Sequence, residues 1–192
     1  MQNSLVMRTE ATYVLNFLIY IQNIYFNQSR SEEEYKFPYF PSIIAFEEDF
    51  QTKYKDLWNE VSRRITEHQS NGVKIFYDEK DLFYQGLFLN NSDSLKKYSE
   101  IYKSFKIWWD SLAGGFSVER SIDVYCQELY EELASLLSQK GIEPKKELNI
   151  SLIYDECKLV ELDVSSYFVV LTIHDFVVNR KDWVSKLLKC IY

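Results

Sequence analysis

The segment TEATYVLNFLIYIQNIYFN at residues 9–27 is the strongest indication of the fold in this sequence. Read with the period of an α-helix, it carries one narrow polar line, and almost every other position from 13 to 26 is apolar or aromatic. A helix that is apolar on nearly all sides must be buried on most of them. The polar line consists of Thr9, Thr12, Asn16, Tyr20, Asn23 and Asn27. We therefore predict a central helix over residues 9–27, on which the other elements pack.

A β-strand accounts for this stretch less well than a helix does. Asn16 and Asn23 are an odd number of residues apart, so a strand would place them on opposite faces. In the helix they share one side, and the opposite side is available for the core. We expect four residues of the helix to be almost fully buried: Val14, Phe17, Leu18 and Ile21.

Length and composition indicate an acidic globular protein. At 192 residues the chain is long enough to bury a full core, and we expect one domain over residues 1–192. An apolar content of 46% with 27% charged residues excludes a disordered chain. The formal charge of −7 argues against binding of a nucleic-acid backbone, which needs a basic surface, and favours a basic partner.

The three cysteines indicate a reducing compartment. Cys126, Cys157 and Cys190 form no C-x-x-C pair, and any disulfide would leave one thiol over. No basic run precedes the first apolar stretch, and no small-residue cleavage site follows it, so we expect no signal peptide. Asn and Gln interrupt the stretch too often for a membrane span. The sequence therefore predicts a cytoplasmic protein.

Four further helices are predicted from apolar spacing and from capping residues. They cover residues 42–68, 90–113, 116–140 and 182–192. A cluster of N-cap formers at residues 90–94, which includes Asn91, opens the second, and the third is expected to end at Lys140-Gly141. The second has a heptad seam formed by Leu95, Tyr98, Tyr102, Phe105, Trp109 and Leu112. Two short aromatic runs at residues 73–89 predict a hairpin that turns at residues 78–81, or else a short strand followed by an irregular aromatic segment.

The C-terminal third has the composition of β-strands. Residues 147–156, 158–164 and 166–176 are rich in Val, Ile and aromatic residues, and polar pairs separate them. We predict a helix-rich α+β fold with about five helices and a small antiparallel sheet, mainly from this third, which provides two or three strands. The helical part covers residues 1–141, and the β-rich part covers 142–178 and precedes the last helix.

One cluster suggests an enzymatic alternative. Glu156 and Lys158 match the E-x-K step of metal-dependent nucleases, and Asp155 is adjacent. An acid and a lysine two residues apart on a strand would share a face, as metal-assisted phosphodiester chemistry requires. His174, next to Asp175, is the remaining candidate for a hydrolase. The match is short and coincides with a predicted turn, so this hydrolase or nuclease reading ranks second.

We expect no metal and no cofactor. The chain has only two histidines, and it lacks H-E-x-x-H, Cys–His and Glu-x-x-His patterns. Gly114-Gly115 precedes a predicted helix, but a phosphate-binding loop would need a Lys-Ser/Thr pair and a strand before it. These glycines indicate a turn between two helices.

The outer face of the helix at residues 116–140 is the candidate binding surface. Its members are Asp123, Gln127, Glu128, Tyr130 and Glu131. From residue 117 to residue 140 there are five acidic and two basic residues, a net charge of −3. A tyrosine among carboxylates is typical of acidic inhibitors that bind basic proteins, because rings provide contact area and acids steer the encounter.

The sequence therefore favours a non-enzymatic protein-binding module of the inhibitor, immunity or regulatory kind. An ordinary solvated helix face explains the same residues without a partner. A structural subunit that self-associates through the heptad seam is the third alternative.

Overall fold

The computed structural model describes residues 5–31, 34–68, 70–162 and 165–191. Within them the chain forms three strands and nine helices. Seven helices lie between the first and second strands, and two follow the third strand. The elements are β1 (Met7–Ala11), α1 (Tyr13–Asn27), α2 (Phe50–Glu67), α3 (Asn71–Asp78), α4 (Lys80–Leu87), α5 (Ser92–Trp109), α6 (Gly115–Arg120), α7 (Asp123–Lys140), β2 (Leu148–Ile153), β3 (Phe168–Thr172), α8 (Ile173–Val177) and α9 (Arg180–Cys190).

The chain divides into two compact units. The described residues of Met1–Ala11, Gly115–Glu156 and Leu162–Tyr192 form unit 1, which contains the sheet and helices α6 to α9. Unit 2 comprises Thr12–Gly114 and Cys157–Glu161, and it contains helices α1 to α5. Whether the two units unfold together, as a single domain would, stays a prediction.

Helix α1 is the centre of unit 2, as its apolar sequence predicts. It packs against α2, α3 and α5, and Val14, Phe17, Leu18 and Ile21 are 0% exposed. The predicted burial of these four residues is confirmed. The helix begins at Tyr13 and not at residue 9, because the preceding residues belong to strand β1.

The polar line of α1 fastens the aromatic loop that follows the helix. The Asn23 side-chain amide donates to the Phe37 carbonyl at 2.9 Å. The Asn27 amide donates to the carbonyls of Lys36 and Pro38, at 2.6 and 3.0 Å, and accepts from the Lys36 N–H at 3.0 Å. The buried amides therefore take the place of water for the backbone of this loop.

The prediction of an antiparallel sheet from the C-terminal third is wrong. The strand order is β1-β2-β3 and both pairings are parallel, with Met7 opposite Leu148 and Asn149 opposite Phe168. Parallel strands are buried on both faces and read as continuous apolar runs, and all five residues of β3 are buried accordingly. The polar segment MRTEA supplies the third strand, and the long run of helices before β2 permits parallel pairing.

Of the two or three strands predicted for the C-terminal third, the described residues form two, β2 and β3, and the segment at 158–162 is not a strand. Residues 158–162 are irregular, and residues 163–164 lie outside the described part of the chain. The 158–159 segment is instead fixed by Gln22 of α1, whose side-chain oxygen accepts from the N–H groups of Lys158 and Leu159 at 2.7 and 3.2 Å. Gln22 is 0% exposed and Val160 is 8% exposed, and residues 157–161 belong to unit 2, so this segment contributes to the core of that unit.

The predicted hairpin at residues 73–89 is wrong, since α3 and α4 occupy these positions. Their buried residues have helical spacing and include Ile75, Phe76, Phe83, Tyr84 and Leu87. Packing of these rings in unit 2 outweighs the preference of aromatic residues for strands. Together with the other short helices, these two raise the number of helices among the described residues above the predicted five.

The remaining helices differ from the predictions mainly at their ends. Residues 42–49 are not helical, and Phe46 forms an isolated bridge with Phe88. The predicted helix at 116–140 is divided into α6 and α7 by two residues, and the last helix begins at residue 180; residue 192 lies outside the described part. Two end signals are confirmed: the Asn91 side chain caps α5 by accepting from the Ser94 N–H, and Gly141 ends α7 with φ +65°.

None of the helices in the described ranges is both long enough and apolar enough to span a membrane.

Candidate functional site

A cleft of about 470 Å³ lies beside strand β1 in unit 1. Strand β1 and the neighbouring β2 form one wall, and the α6–α7 segment forms the other. The lining residues are Met7, Thr9, Glu119, Ile122, Asp123, Cys126, Gln127, Tyr130 and Leu152. Its volume is within the range of ligand-binding clefts, and we call it the β1 cleft.

Strand β1 is an edge strand, and its register shows which backbone groups are available. The Leu148 N–H donates to the Val6 carbonyl at 2.9 Å, which directs the even-numbered residues of β1 toward β2. In a parallel ladder, alternate residues direct both of their backbone groups to the same side. The N–H and C=O groups of Met7, Thr9 and Ala11 therefore point away from β2, to the free edge.

Side chains of α6 and α7 occupy the two ends of this free edge. Glu119 accepts from the Ala11 N–H at 3.0 Å, and the Tyr130 hydroxyl donates to the Leu5 carbonyl at 3.4 Å. Within the described residues, no protein group bonds to the outward backbone groups of Met7 and Thr9 between these ends. The β1 cleft thus borders a short length of open sheet edge.

The deep wall of the β1 cleft carries a thiol of low reactivity. The Cys126 sulfur donates to the Thr9 hydroxyl over 3.6 Å. Burial raises the pKa of Cys126, with a smaller contribution from Asp123, while the Thr9 hydrogen bond acts in the opposite direction. The sulfur is therefore a neutral thiol at neutral pH, and a nucleophilic role is disfavoured because the thiolate is the reactive form.

The rim of the β1 cleft is acidic and internally hydrogen-bonded. Asp123 pairs with Arg120 at 2.7 Å, and the Gln127 amide donates to Glu131 at 2.7 Å. Both contacts are exposed, so they contribute little to stability. They do hold the carboxylates in place, and each carboxylate retains lone pairs for a further donor.

Three of the five predicted binding residues line the β1 cleft: Asp123, Gln127 and Tyr130. Tyr130 is half-buried, while Asp123 and Gln127 are exposed. Glu128 and Glu131 are also exposed on α7 but do not line the cleft. The structure therefore brings the predicted tyrosine and part of the acidic face to one concave site.

The alternative catalytic residues are dispersed over loops and a short helix. Asp155 and Glu156 follow β2 in unit 1, where the Glu156 N–H donates to the Asp155 side chain at 2.8 Å. Lys158 belongs to unit 2, and none of the three lies on a strand. The shared strand face on which the E-x-K reading depends is absent from these described positions.

His174 is exposed on α8, and its neighbour Asp175 has a structural role. Asp175 and Thr172 form a capping box: Asp175 accepts from the Thr172 N–H and hydroxyl at 2.9 and 2.7 Å, and its own N–H donates back to Thr172. Burial would raise the pKa of Asp175, but the hydrogen bonds from Thr172, Trp183 and Asn179 outweigh it and lower that pKa below its ordinary value.

We expect Asp175→Asn to reduce the acid sensitivity of unit 1. A carboxylate with a lowered pKa stabilises the folded state fully above its unfolded pKa of about 3.9, and this contribution is lost as the pH falls through the folded pKa. Urea unfolding at pH 7 should show a loss of about 0.5–2 kcal/mol, as for other cap residues. The difference from wild type should shrink toward pH 3. Glu143→Gln, an exposed control in unit 1 outside the helices, should change the free energy of unfolding by less than about 0.5 kcal/mol at either pH.

The sequence reasoning missed the strand side of the cleft. Met7 and Thr9 lie in a five-residue segment whose alternation with Arg8 and Glu10 is the only local sign of a strand. The charge pattern identifies Glu119 only as one of the five acidic residues from 117 to 140, although it accepts a hydrogen bond from a backbone N–H 108 residues away. No pattern in a single sequence indicates a pairing at that separation.

No known protein family, curated protein or solved structure matches this chain. Among the described residues, no group of three or more His, Cys, Asp or Glu side chains is arranged to hold a metal ion.

Proposed function

We propose that this protein is a non-enzymatic cytoplasmic module that binds a basic protein partner through α7, as an inhibitor, immunity-type or regulatory protein. One observation supports the proposal most: Tyr130, Asp123 and Gln127 of the acidic face line a single concave site. Concave sites are the usual places of recognition, and tyrosine is enriched among the residues that dominate interface energies.

The two kinds of residue have separate roles in this proposal. The Tyr130 ring, half-buried and held by the Leu5 carbonyl, presents a preorganised apolar surface that loses little entropy on binding. The exposed carboxylates of Asp123, Glu128 and Glu131 attract a basic partner over a distance comparable to the Debye length. The ring would slow dissociation, and the acids would speed association.

Affinity capture from the native host tests whether α7 is the binding surface. We expect the wild-type protein to retain a partner that the triple variant Asp123→Asn, Glu128→Gln, Glu131→Gln loses. A matched control removes the same charge from exposed positions of unit 2, by Glu48→Gln, Asp56→Asn and Glu100→Gln. Equal capture by both triple variants would contradict the proposal, because the α7 carboxylates would then matter no more than carboxylates elsewhere on the chain.

Binding kinetics with the captured partner, at two salt concentrations, separate the two roles. Glu128→Gln should slow association and weaken its salt dependence, with little change in dissociation. Tyr130→Ala should speed dissociation about tenfold or more, since buried rings dominate interface energies. Thermal unfolding of each variant checks that it is folded. Unchanged rate constants for both variants would show that this face is ordinary solvated helix.

A further inference from the structure

The open edge of β1 is the part of the site that the proposed function leaves unused. Met7 and Thr9 direct two N–H and two C=O groups away from β2, and the described residues provide no partner for these four groups. Unpaired edge groups are a template for a further strand, and natural sheets usually cover or blunt them. Here the cover stops at each side of these two residues.

The closures at the two ends define how long an added strand can be. Glu119 occupies the Ala11 N–H and Tyr130 occupies the Leu5 carbonyl. An extended segment can therefore pair with Met7 and Thr9 alone, which requires about three of its residues at 3.3 Å per residue. A short segment of this length fits a cleft of about 470 Å³.

We propose that the partner inserts an extended segment with two basic residues at positions i and i+2, which pairs with Met7 and Thr9 as a fourth strand. This inference rests on the proposed function, because the segment belongs to the partner bound by α7. It identifies the mode of recognition as strand addition, in which backbone bonds give affinity and alternate side chains give specificity.

The spacing of the basic residues follows from the register of the sheet. Directly opposed residues of neighbouring strands have their side chains on the same face. The two segment residues opposite Met7 and Thr9 therefore direct their side chains to the side of the cleft, where Glu119 and Asp123 lie. The residue between them points to the other face, which carries Arg8 and Glu10 of β1.

Charge also disfavours a second copy of this chain as the added strand. A second β1 would bring its own acidic α6–α7 segment toward the first, and the chain carries a net charge of −7. Like charges brought together at an interface oppose association.

Two peptide libraries of equal composition test the proposal. One is acetyl-X-Lys-X-Lys-X-amide and the other is acetyl-X-Lys-Lys-X-X-amide, with X any residue except proline and cysteine. We expect fluorescence titration to give binding for the first library and at least about tenfold weaker binding for the second, because its adjacent lysines point to opposite faces. Equal binding of both libraries, or no binding of the first, would overturn the proposal.

A pair of protein variants separates the backbone from the side chain at the edge. Of the backbone bonding groups, Thr9→Pro removes only an outward N–H, since the ladder to β2 uses Arg8 and Glu10, and edge strands accept proline on the solvent side. It also removes the hydroxyl that accepts from the Cys126 thiol, so a variant that lacks the hydroxyl alone is needed as the control. Thr9→Val keeps the N–H and removes the hydroxyl. We expect the first variant to lose about tenfold in affinity for the best peptide and the second to bind as wild type. Equal affinity of both would overturn the proposal.

Amide hydrogen exchange provides a readout that does not depend on any variant. Strand addition should slow exchange at Met7 and Thr9 and leave Arg8 and Glu10 unchanged, because the latter two are already bonded to β2. Protection of Met7 and Thr9 that appears without peptide and increases with protein concentration would identify a second copy as the occupant and overturn the proposal.

The same measurement, made with the captured partner, distinguishes the two levels of the proposal. In one outcome the α7 triple variant loses the partner, and Met7 and Thr9 of the wild-type complex exchange as fast as in the free protein. Strand addition is then wrong and the proposed function stands. If the peptides protect Met7 and Thr9 but the α7 variants keep the partner, the edge binds such segments and the proposed function is wrong.

Discussion

Phe17→Ala should lower the free energy of unfolding by about 3–5 kcal/mol, the largest effect we expect from a single substitution in this chain. Phe17 is 0% exposed, and its ring lies between 5.1 and 6.4 Å, centroid to centroid, from five other rings. Truncation removes the buried surface and leaves a cavity that rings on several different helices surround. Urea unfolding followed by circular dichroism measures the loss.

Phe116→Ala is the matched control for this substitution. The same atoms are removed, but Phe116 is 52% exposed on α6, and we expect a loss below about 1 kcal/mol. A loss for Phe17→Ala that is no larger than the control would contradict the central position of α1 in unit 2. Leu18→Ala, also 0% exposed, should cost about 2–5 kcal/mol and provides an independent check of the same helix.

Asn27→Leu should lower the free energy of unfolding by about 2–3 kcal/mol. The two side chains have the same number of non-hydrogen atoms and the same branching, so the main effect is the loss of three hydrogen bonds to the backbone of Lys36 and Pro38. Asn27 is 7% exposed, and buried backbone groups that lose their partner cost about 1–3 kcal/mol each, less where water can reach them. Equilibrium unfolding gives the total, and hydrogen exchange at Lys36 should rise.

Gln28→Leu, at the next position and exposed, is the control for Asn27→Leu. It makes a comparable change from amide to isobutyl on the same helix turn, and we expect a change within about 0.5 kcal/mol. If Asn27→Leu proved neutral or stabilising, the buried amide would not be what holds the aromatic loop at residues 36–38. The gain from an apolar side chain would then exceed the hydrogen bonds that it replaces.

Local signals in the sequence predicted what local interactions decide. The burial of Leu18, the cap at Asn91 and the end of α7 at Gly141 follow from spacing and backbone preferences within a few residues. The pattern of residues 13–27, apolar on almost every side of a helix, predicts a buried helix and fits a strand poorly.

The direction of the sheet could not be predicted because it depends on distant residues. Leu148 pairs with Met7, and the apolar runs at 148–153 and 168–172 are compatible with either direction when read alone. Continuous apolar runs are typical of parallel strands, which are buried on both faces. The short polar separators between the runs favoured antiparallel pairing instead, and that prediction was wrong. The aromatic residues at 73–89 misled in the same way, because their helical packing depends on the rest of unit 2.

The candidate site was predicted in part, for the same reason. The acidic face and Tyr130 can be found from charge and period on one helix. The cleft cannot, because it exists only where that helix meets Met7 and Thr9, more than 110 residues earlier in the chain.

Most of unit 2 lies in the sequence between strands β1 and β2, and this order has a consequence during synthesis on the ribosome. From Ala11 to Leu148 the ribosome must add 137 residues, which takes about 7–27 s at 5–20 residues per second. Through this interval β1 has been made but its partner strand has not. The charges of Arg8 and Glu10 in so short a segment would keep it from pairing with nascent chains nearby, which an apolar strand would not avoid.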